Sequence, residues 1–490
     1  MQRNAVSGVP LSWEFSPVIV GVVLNHRHVM SPIEPGLIVL HSNRMEVLRD
    51  GLVQWLAGHP LDPLETDIIT VQSNGIAQWL RSTLARTGAD GGPGIAAALD
   101  TPMPSRLMWS LYRRVLGEAQ VPESSPLDEQ PLTWRLMRLL SNIAGRAVYA
   151  PLQRFLDDDA DLRKRYQLAE RLADLFDQYQ VYRADWLADW EAGLDHLRGP
   201  GEPRALDADQ LWQAALWRDI LADVGPQAAA LGRAGVHERF VEALRHWQAS
   251  QGRPDLPRRI VVFGVSSLPR QSLEALIEAA RWTQVLVCVH NPCEYHWADI
   301  VEGRSLLRSV KRHQQLKPGR PAELDEDSLH AQAHPLLASW GRQGRDYIAL
   351  LEELEDESAN QGSEPIPFMV APAFAEVDET TMLGALQDDI RGLRSLADVK
   401  EAGRIAAAGD SSVHFHIAHS ALREVEILHD QLLAAFNNDP ELQPDDIIVM
   451  VPDIEQYAPY IEAVFGLYGP EDRRRIPYFI VDRGPGQVNT

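Results

Sequence analysis

The chain has 490 residues, two cysteines and a formal charge of −23, with 45% hydrophobic and 23% charged residues. That length leaves room for about three domains, each with its own core. Two cysteines exclude a disulfide framework and fit a reducing cytosol, and the acidic balance excludes a polyanion binder whose whole surface is basic. Any nucleic-acid contact must be local.

Residues 1–35 read as an N-terminal extension. Their apolar run from Pro17 to Leu24 has only Arg3 ahead of it and no small-residue cleavage site behind it, so it is neither signal peptide nor membrane span. Met30 lies just before the first periodic element, so residues 1–29 are expected to reflect a mis-assigned translation start. No later window approaches the roughly 18 apolar residues of a membrane helix.

Leu37–Leu40 reads as a strand entering a helix through His41, Ser42, Asn43 and Arg44, where a nucleotide-binding protein places its phosphate loop. Such a loop needs glycines so that successive N–H groups reach the phosphates, a lysine for the outer phosphates and a hydroxyl for Mg²⁺. These residues lack that geometry and read instead as a helix start, with Asn43 as N-cap, Glu46 behind it, and Leu48, Leu52, Trp55 and Leu56 on one face. Asp67–Val71 is a second strand, leading through Gln72, Ser73, Asn74 and Gly75 into a helix whose apolar face carries Ile76, Trp79, Leu80, Thr83 and Leu84. From about Leu107 to Trp217 the pattern is helical, and Leu162, Tyr166, Ala169, Leu172, Ala173 and Phe176 form a stripe with Asp174, Asp177 and Gln178 off it. Strands return at Arg259–Val265 and Gln284–Val289, so the helical block reads as an insertion into one parallel α/β domain. Lys317–His334 and Glu355–Pro367 read as a surface insertion and an interdomain linker. Ser412–Ile417 and Asp446–Val451 then begin a second α/β unit around the helix Glu424–Phe436, expected to be cut short after Pro477–Val481.

The sequence holds no GxxxxGK[ST], GxSxG, HExxH or GxGxxG, which removes the common signatures of NTPases, hydrolases, zinc proteases and dinucleotide enzymes. Asp445 and Asp446 precede a strand rather than follow one and read as solvated, and Asp157, Asp158 and Asp159 as the polar start of a helix. Cys288, His290, Cys293 and His296 could offer tetrahedral zinc ligands, but the first two sit in or beside an apolar strand, where packed side chains are expected, so no metal site is assigned. Aromatic and amide groups near strand ends, namely Gln72, Asn74, Gln78, Trp109 and Arg183, could stack on and hydrogen-bond single-stranded bases. Taken one at a time, Trp79, Trp109 and Tyr179 read as core or rim and the amides as caps or surface.

The stretches HSNRMEVL, VQSNGIAQWL, RLADLFDQYQVYRADWLADW, NPCEYHWADI, HPLLASWGRQGRDYI, REVEILHDQLL and PDDIIVMVPDIEQYAP together resemble the RecC family, the gamma chains of the RecBCD helicase–nuclease, exodeoxyribonuclease V. The resemblance runs from about Gly36 to Arg483. It implies an inactivated superfamily 1 helicase-like α/β fold with a large helical insertion and a truncated second α/β domain. In that layout 36–110 and 218–315 form the first helicase-like domain, 111–217 the helical insertion, 316–367 an insertion and linker, and 368–490 the start of the second domain. The resemblance further implies a non-catalytic heterotrimer subunit with RecB and RecD that binds double-stranded ends and single-stranded DNA and senses Chi in a tunnel. Catalysis, ATP and Mg²⁺ then belong to the partner subunits, and this chain takes no cofactor. The implied DNA-sensing residues are Gln72, Asn74, Gln78, Met103, Trp109, Asp174, Leu175, Asp177, Gln178, Arg183 and Arg233, with His41 to Arg44 as a degenerate phosphate-loop position. Asn74 and Met103 depart from the family pattern, and the family chains continue to more than twice this length. A different class, a truncated protein-interaction fragment with no DNA role, is motivated by the −23 charge and that shortness.

Overall fold

The computed structural model describes residues 33–86, 94–159, 161–199, 202–297, 334–360, 366–405 and 407–481. The expectations for residues 1–29 and for nearly all of Lys317–His334 fall outside them. Eight strands are present among the described residues: β1 (Gly36–Ser42), β2 (Asp67–Val71), β3 (Leu99–Asp100), β4 (His196–Leu197), β5 (Arg204–Ala205), β6 (Arg259–Phe263), β7 (Gln284–His290) and β8 (Phe368–Pro372). Six form one sheet in the order β3-β2-β6-β7-β1-β8, with every neighbouring pair parallel, while β4 and β5 make a separate antiparallel ribbon.

The sequence explains why this sheet is buried on both faces. Strands β6 and β7 read RIVVF and QVLVCVH, and apolar residues at successive positions serve two faces because side chains alternate. Val39, Ile260, Val262, Val285 and Val287 face a core built with the helices Pro104–Leu116, Arg233–Arg245, Arg270–Ala280 and Arg342–Asn360. Ile69, Val71, Val261, Phe263, Leu286 and Cys288 face the opposite core, covered by Leu48 and Leu52 of the helix Met45–Gly58 and Leu80 of the helix Asn74–Ala85. Because β2 pairs with β6 directly, strands from before and after the helical block share one sheet.

The helical block has its own core. Phe176 and Trp217 stack at 5.5 Å, and Tyr179 meets Trp186 and Trp190 edge-on. Its central helix, Arg163–Tyr182, buries Ala169, Leu172, Ala173, Phe176 and Gln180. Leu162 and Tyr166, expected on the buried stripe, are exposed instead: Leu162 is a left-handed residue ahead of the helix (φ 62°), so the stripe begins a turn later. Asp159 accepts from the backbone N–H of Arg165 at 3.2 Å, a carboxylate at a helix start as the acidic triplet implied.

Three expectations are corrected. Phe368–Pro372 is not the start of a second unit; it pairs with β1 and adds the edge strand β8 to the first sheet. Glu355–Asn360, read as linker, continues the helix Arg342–Asn360. Nor does a second sheet form among the described residues: Ser412–Ile417 and Asp446–Val451 carry no strand pairing, although the helix Ala421–Asn438 between them is present. Phe415, Ile417, Ile448, Met450 and Phe479 are exposed there, because an extended segment becomes a strand only beside a hydrogen-bonding neighbour.

Candidate functional site

A parallel sheet gathers the carboxyl ends of its strands on one edge, the usual place for a ligand crevice. Here that edge brings together the exits of β1, β2, β3, β6, β7 and β8.

The β1 exit is filled by protein. The Asn43 side chain donates from Nδ2 to the carbonyl of Ala375 at 3.0 Å and accepts the Ala375 N–H on Oδ1 at 2.8 Å. The His41 carbonyl accepts the Ala373 N–H at 2.7 Å, and the Ser42 carbonyl accepts the Asn291 N–H at 2.8 Å. The Ser42 hydroxyl, fully buried, accepts the Arg44 N–H at 3.2 Å, and His290 Nε2 lies 3.2 Å from the Asn43 carbonyl. Asn43 is therefore not the helix N-cap; Arg44 holds that place, without a side-chain capping bond. Gly264, at the β6 exit one strand beyond β7, has φ +60° and faces the Met45 side chain, so a Cβ there would be both strained and crowded.

The β2 and β3 exits form a polar corner. Ser73 caps the helix Asn74–Ala85 by accepting from Ile76 N at 3.3 Å. Gln72 Oε1 accepts from both the N–H and the hydroxyl of Ser266, at 3.1 and 3.0 Å. Asn74 and Gln78 are exposed, and their side chains have no hydrogen-bond partner among the described residues. Helical spacing puts Arg81 beside them, and its guanidinium donates to the Thr101 hydroxyl at 2.8 Å, tying this helix to the turn that carries Met103. The sequence reading missed Arg81; its i+3 spacing from Gln78 was the available signal. Met103, 36% exposed, precedes the helix Pro104–Leu116, on which Trp109 is half-buried, its indole N–H shared by the carbonyls of Pro122 and Glu123 at 3.0 Å.

The remaining predicted residues lie on the helical block and the helix Arg233–Arg245. Arg233 bridges Asp177 at 3.0 Å and Asp128 at 3.2 Å, and burial keeps the Asp177 carboxyl above its ordinary value despite that arginine. Gln178 donates to Asp174 one turn back, on an exposed face, and Leu175 packs at the edge of the bundle core. Arg183 is locked: it binds Asp185 through two bonds of 2.9 and 2.7 Å and stacks on Trp186 at 3.7 Å, fixing the corner between two helices. The loop after Trp109 connects the two groups, since Ser125 donates to the Leu231 carbonyl at 3.0 Å just before Asp128. Asp128 was another omission; its place directly before the helix Glu129–Leu139 suggested only a cap.

The cysteines and histidines do not converge. Cys288 is buried within β7, its thiol pushed up to about 12 by desolvation; Cys293 contacts the Arg391 carbonyl, and His296 faces Glu352 at 3.3 Å. No group of three or more His, Cys, Asp or Glu side chains is arranged for a metal among the described residues. No helix among them is long and apolar enough to cross a membrane.

Comparison with known proteins bears on this architecture. Residues 37–393 match the family described as RecC, N-terminal domain. The RecBCD enzyme subunit RecC of Escherichia coli is 39% identical over 474 residues, 91% of this chain and 39% of that protein. The same-named subunit of Haemophilus influenzae is 36% identical over 91% of this chain and 40% of its own length, and that of Mycobacterium tuberculosis 30% identical over 87% and 35%. The chain thus spans about two fifths of the length of the first two relatives. With the family match covering well over half of its residues, the chain belongs to the RecC family.

Proposed function

We propose that this chain is a non-catalytic DNA-binding and scaffold subunit of a RecBCD-type helicase–nuclease. In this reading its fold is a helicase-like one that has lost nucleotide binding. It forms part of a single-strand tunnel and takes part in Chi sensing while partner chains of the RecB and RecD kind use ATP and Mg²⁺ to unwind and degrade broken DNA ends for recombination. The observation that carries the non-catalytic part is the β1 exit, where Asn43 and the backbone of Ala375 occupy each other's hydrogen-bonding groups. A phosphate loop requires successive free backbone N–H groups, and here the neighbouring polar groups of the strand exits are bonded to one another.

The DNA part is supported by the corner of Asn74, Gln78 and Arg81 beside Met103. Unpartnered amides suit base edges, and Arg81 suits a phosphate or guanine. Arg183 and Arg233, spoken for by carboxylates, support this reading as positioning residues that shape the surface. The test is fluorescence anisotropy of the full chain with labelled single-stranded DNA. Loss of binding in Asn74→Ala plus Gln78→Ala is expected, and unchanged binding would overturn the assignment of this corner. DNA-stimulated ATP hydrolysis by the purified chain would overturn the non-catalytic part.

A further inference from the structure

The helix Arg233–Arg245 packs against three others, Pro104–Leu116, Arg163–Tyr182 and Arg270–Ala280. Its first turn holds the helical block through Arg233, which takes Asp177 and Asp128. His237, one turn further along the same face, holds the other two helices. Its Nδ1 lies 3.1 Å from the Tyr112 hydroxyl and its Nε2 lies 3.1 Å from Glu274 Oε2. Both rings are buried, each 5% exposed. Tyr112 also lies 4.9 Å from Phe240 and meets Trp109 edge-on at 6.3 Å. The helix of Tyr112 and Trp109 begins directly after Met103, and Thr101 just ahead of it takes the Arg81 guanidinium.

Counting protons fixes one arrangement for the neutral ring. Burial would raise the Glu274 carboxyl, but hydrogen bonds from His237 and Arg270 hold it below its ordinary value, so it only accepts. The single ring proton therefore sits on Nε2 and goes to Glu274, which leaves Nδ1 to accept the Tyr112 O–H. A second ring proton breaks this chain. Nδ1–H then points at the Tyr112 oxygen, the hydroxyl proton must turn away, and that hydroxyl has no other partner among the described residues. A buried donor without an acceptor is unfavourable, so the tie between the helices Pro104–Leu116 and Arg233–Arg245 weakens. The other charged groups around the ring are engaged with one another, Arg270 with Glu274 and Glu353, and Arg233 with Asp177.

We propose that His237 is a positioning residue for DNA, holding the helix that follows Met103 and carries Trp109 against the helix that begins at Arg233, and that its protonation loosens this hold. The inference rests on the single-stranded DNA reading and adds to it a residue and a pH dependence. Asn74, Gln78 and Arg81 supply no such dependence, since none of them titrates between about pH 5 and pH 8.

The experiment is fluorescence anisotropy of the full chain with labelled single-stranded DNA from about pH 8 to about pH 5 at constant ionic strength. The affinity of the parent should fall about three- to tenfold on acidification, the worth of one hydrogen bond. Tyr112→Phe keeps the ring against Phe240 but removes the hydroxyl, and should bind at every pH as weakly as the acidified parent. His237→Leu should match it, with a flat pH profile. His237→Asn puts a carbonyl oxygen where Nδ1 stood, so it should keep the neutral-pH affinity of the parent within about twofold and lose the pH dependence. Parent-like affinity in Tyr112→Phe or His237→Leu overturns the proposal, and so does a pH step that survives in His237→Asn. Hydrogen exchange of the helix Pro104–Leu116 supplies a readout that needs no DNA. Corrected for the chemical effect of pH on exchange, its amides should open more readily at about pH 5 in the parent and not in His237→Asn. Protection in the parent that does not change with pH overturns the relay. Failure of the DNA reading shows separately, as no binding by the parent at any pH or no loss in Asn74→Ala plus Gln78→Ala, and the exchange result then still decides the relay.

Discussion

Asn43 ties the β1 exit to the backbone of Ala375. Its two bonds to Ala375 are neutral and local to one backbone unit, so Asn43→Ala should cost about 1–3 kcal/mol, at 0.5–1.5 per bond. Thermal melting measures that cost, and hydrogen exchange at the Ala375 amide should accelerate in the variant; an amide as slow as in the parent would mean that the clamp is not what protects it. Asp388 makes a second residue-scale case. It is fully buried, and although burial alone would raise its carboxyl, hydrogen bonds from Arg391 and Arg394 hold it below the ordinary value. A depressed folded-state value means that the stabilisation is complete above the unfolded value of about 3.9 and is lost as pH falls through the folded one. Acidification from about pH 6 to about pH 3 should therefore lower the melting temperature of the parent more than that of Asp388→Asn, which has already lost the carboxylate. Equal losses would show that Asp388 does not drive the acid sensitivity.

At the scale of elements, the register of β2 against β6 is fixed by an ion pair as well as by the apolar pattern. Arg259, with its side chain wholly buried, binds Asp67 through Nε at 2.9 Å and Nη2 at 2.7 Å, and donates to the His59 carbonyl at 2.8 Å. Removing one partner strands a buried charge, so Asp67→Ala should cost about 3 kcal/mol, whereas Asp67→Leu with Arg259→Met should recover most of it. Chemical denaturation of the three proteins decides this; a double variant no better than the single one would show that packing, not charge, sets the loss. The same comparison of local and distant partners explains what the sequence made legible. The strands β1, β2, β6 and β7 stood out because a buried parallel strand is a short apolar run wherever it pairs, and the bundle helix because its stripe recurs every turn. The edge strand β8 reads FMVAP, with a proline at its end and one neighbour, and its place depends on β1, which lies more than 300 positions earlier. Asn43 satisfied the local pattern of a cap, but its partner is 332 positions away. At the site, exposed Asn74 and Gln78 kept the surface character their sequence suggested. Arg183, expected as a DNA-sensing residue, is held by Asp185 two positions on. The extended segments near Phe415 and Met450 show the converse: a strand-like pattern is only half of a strand.

At the scale of the whole molecule, a charge of −23 and a DNA-binding role are compatible only if few phosphates are engaged. Each phosphate neutralised on a single strand contributes a slope of about 0.7 to the fall of log affinity with log salt. A chain gripping the backbone along a basic surface would show a steep slope; one that reads base edges with Asn74 and Gln78 while Arg81 holds a phosphate should show a slope corresponding to about one to three contacts. Arg81→Ala should then lower the slope by about 0.7, while Asn74→Ala plus Gln78→Ala should weaken binding at every salt concentration and leave the slope unchanged. Anisotropy across a salt series resolves the two behaviours in one experiment. A slope equal for parent and Arg81→Ala would place the phosphate contact elsewhere, and a slope changed by the amide pair would show that those residues act through the backbone path rather than the bases. ATP belongs in the same series, because a ligand that binds the folded form raises its melting temperature by mass action. With the β1 exit occupied by Asn43 and Ala375, ATP with Mg²⁺ should leave the melting temperature of this chain where it was. A rise that depends on ATP concentration would mean that the clamp opens to a nucleotide and would overturn the proposal of a fold without nucleotide binding.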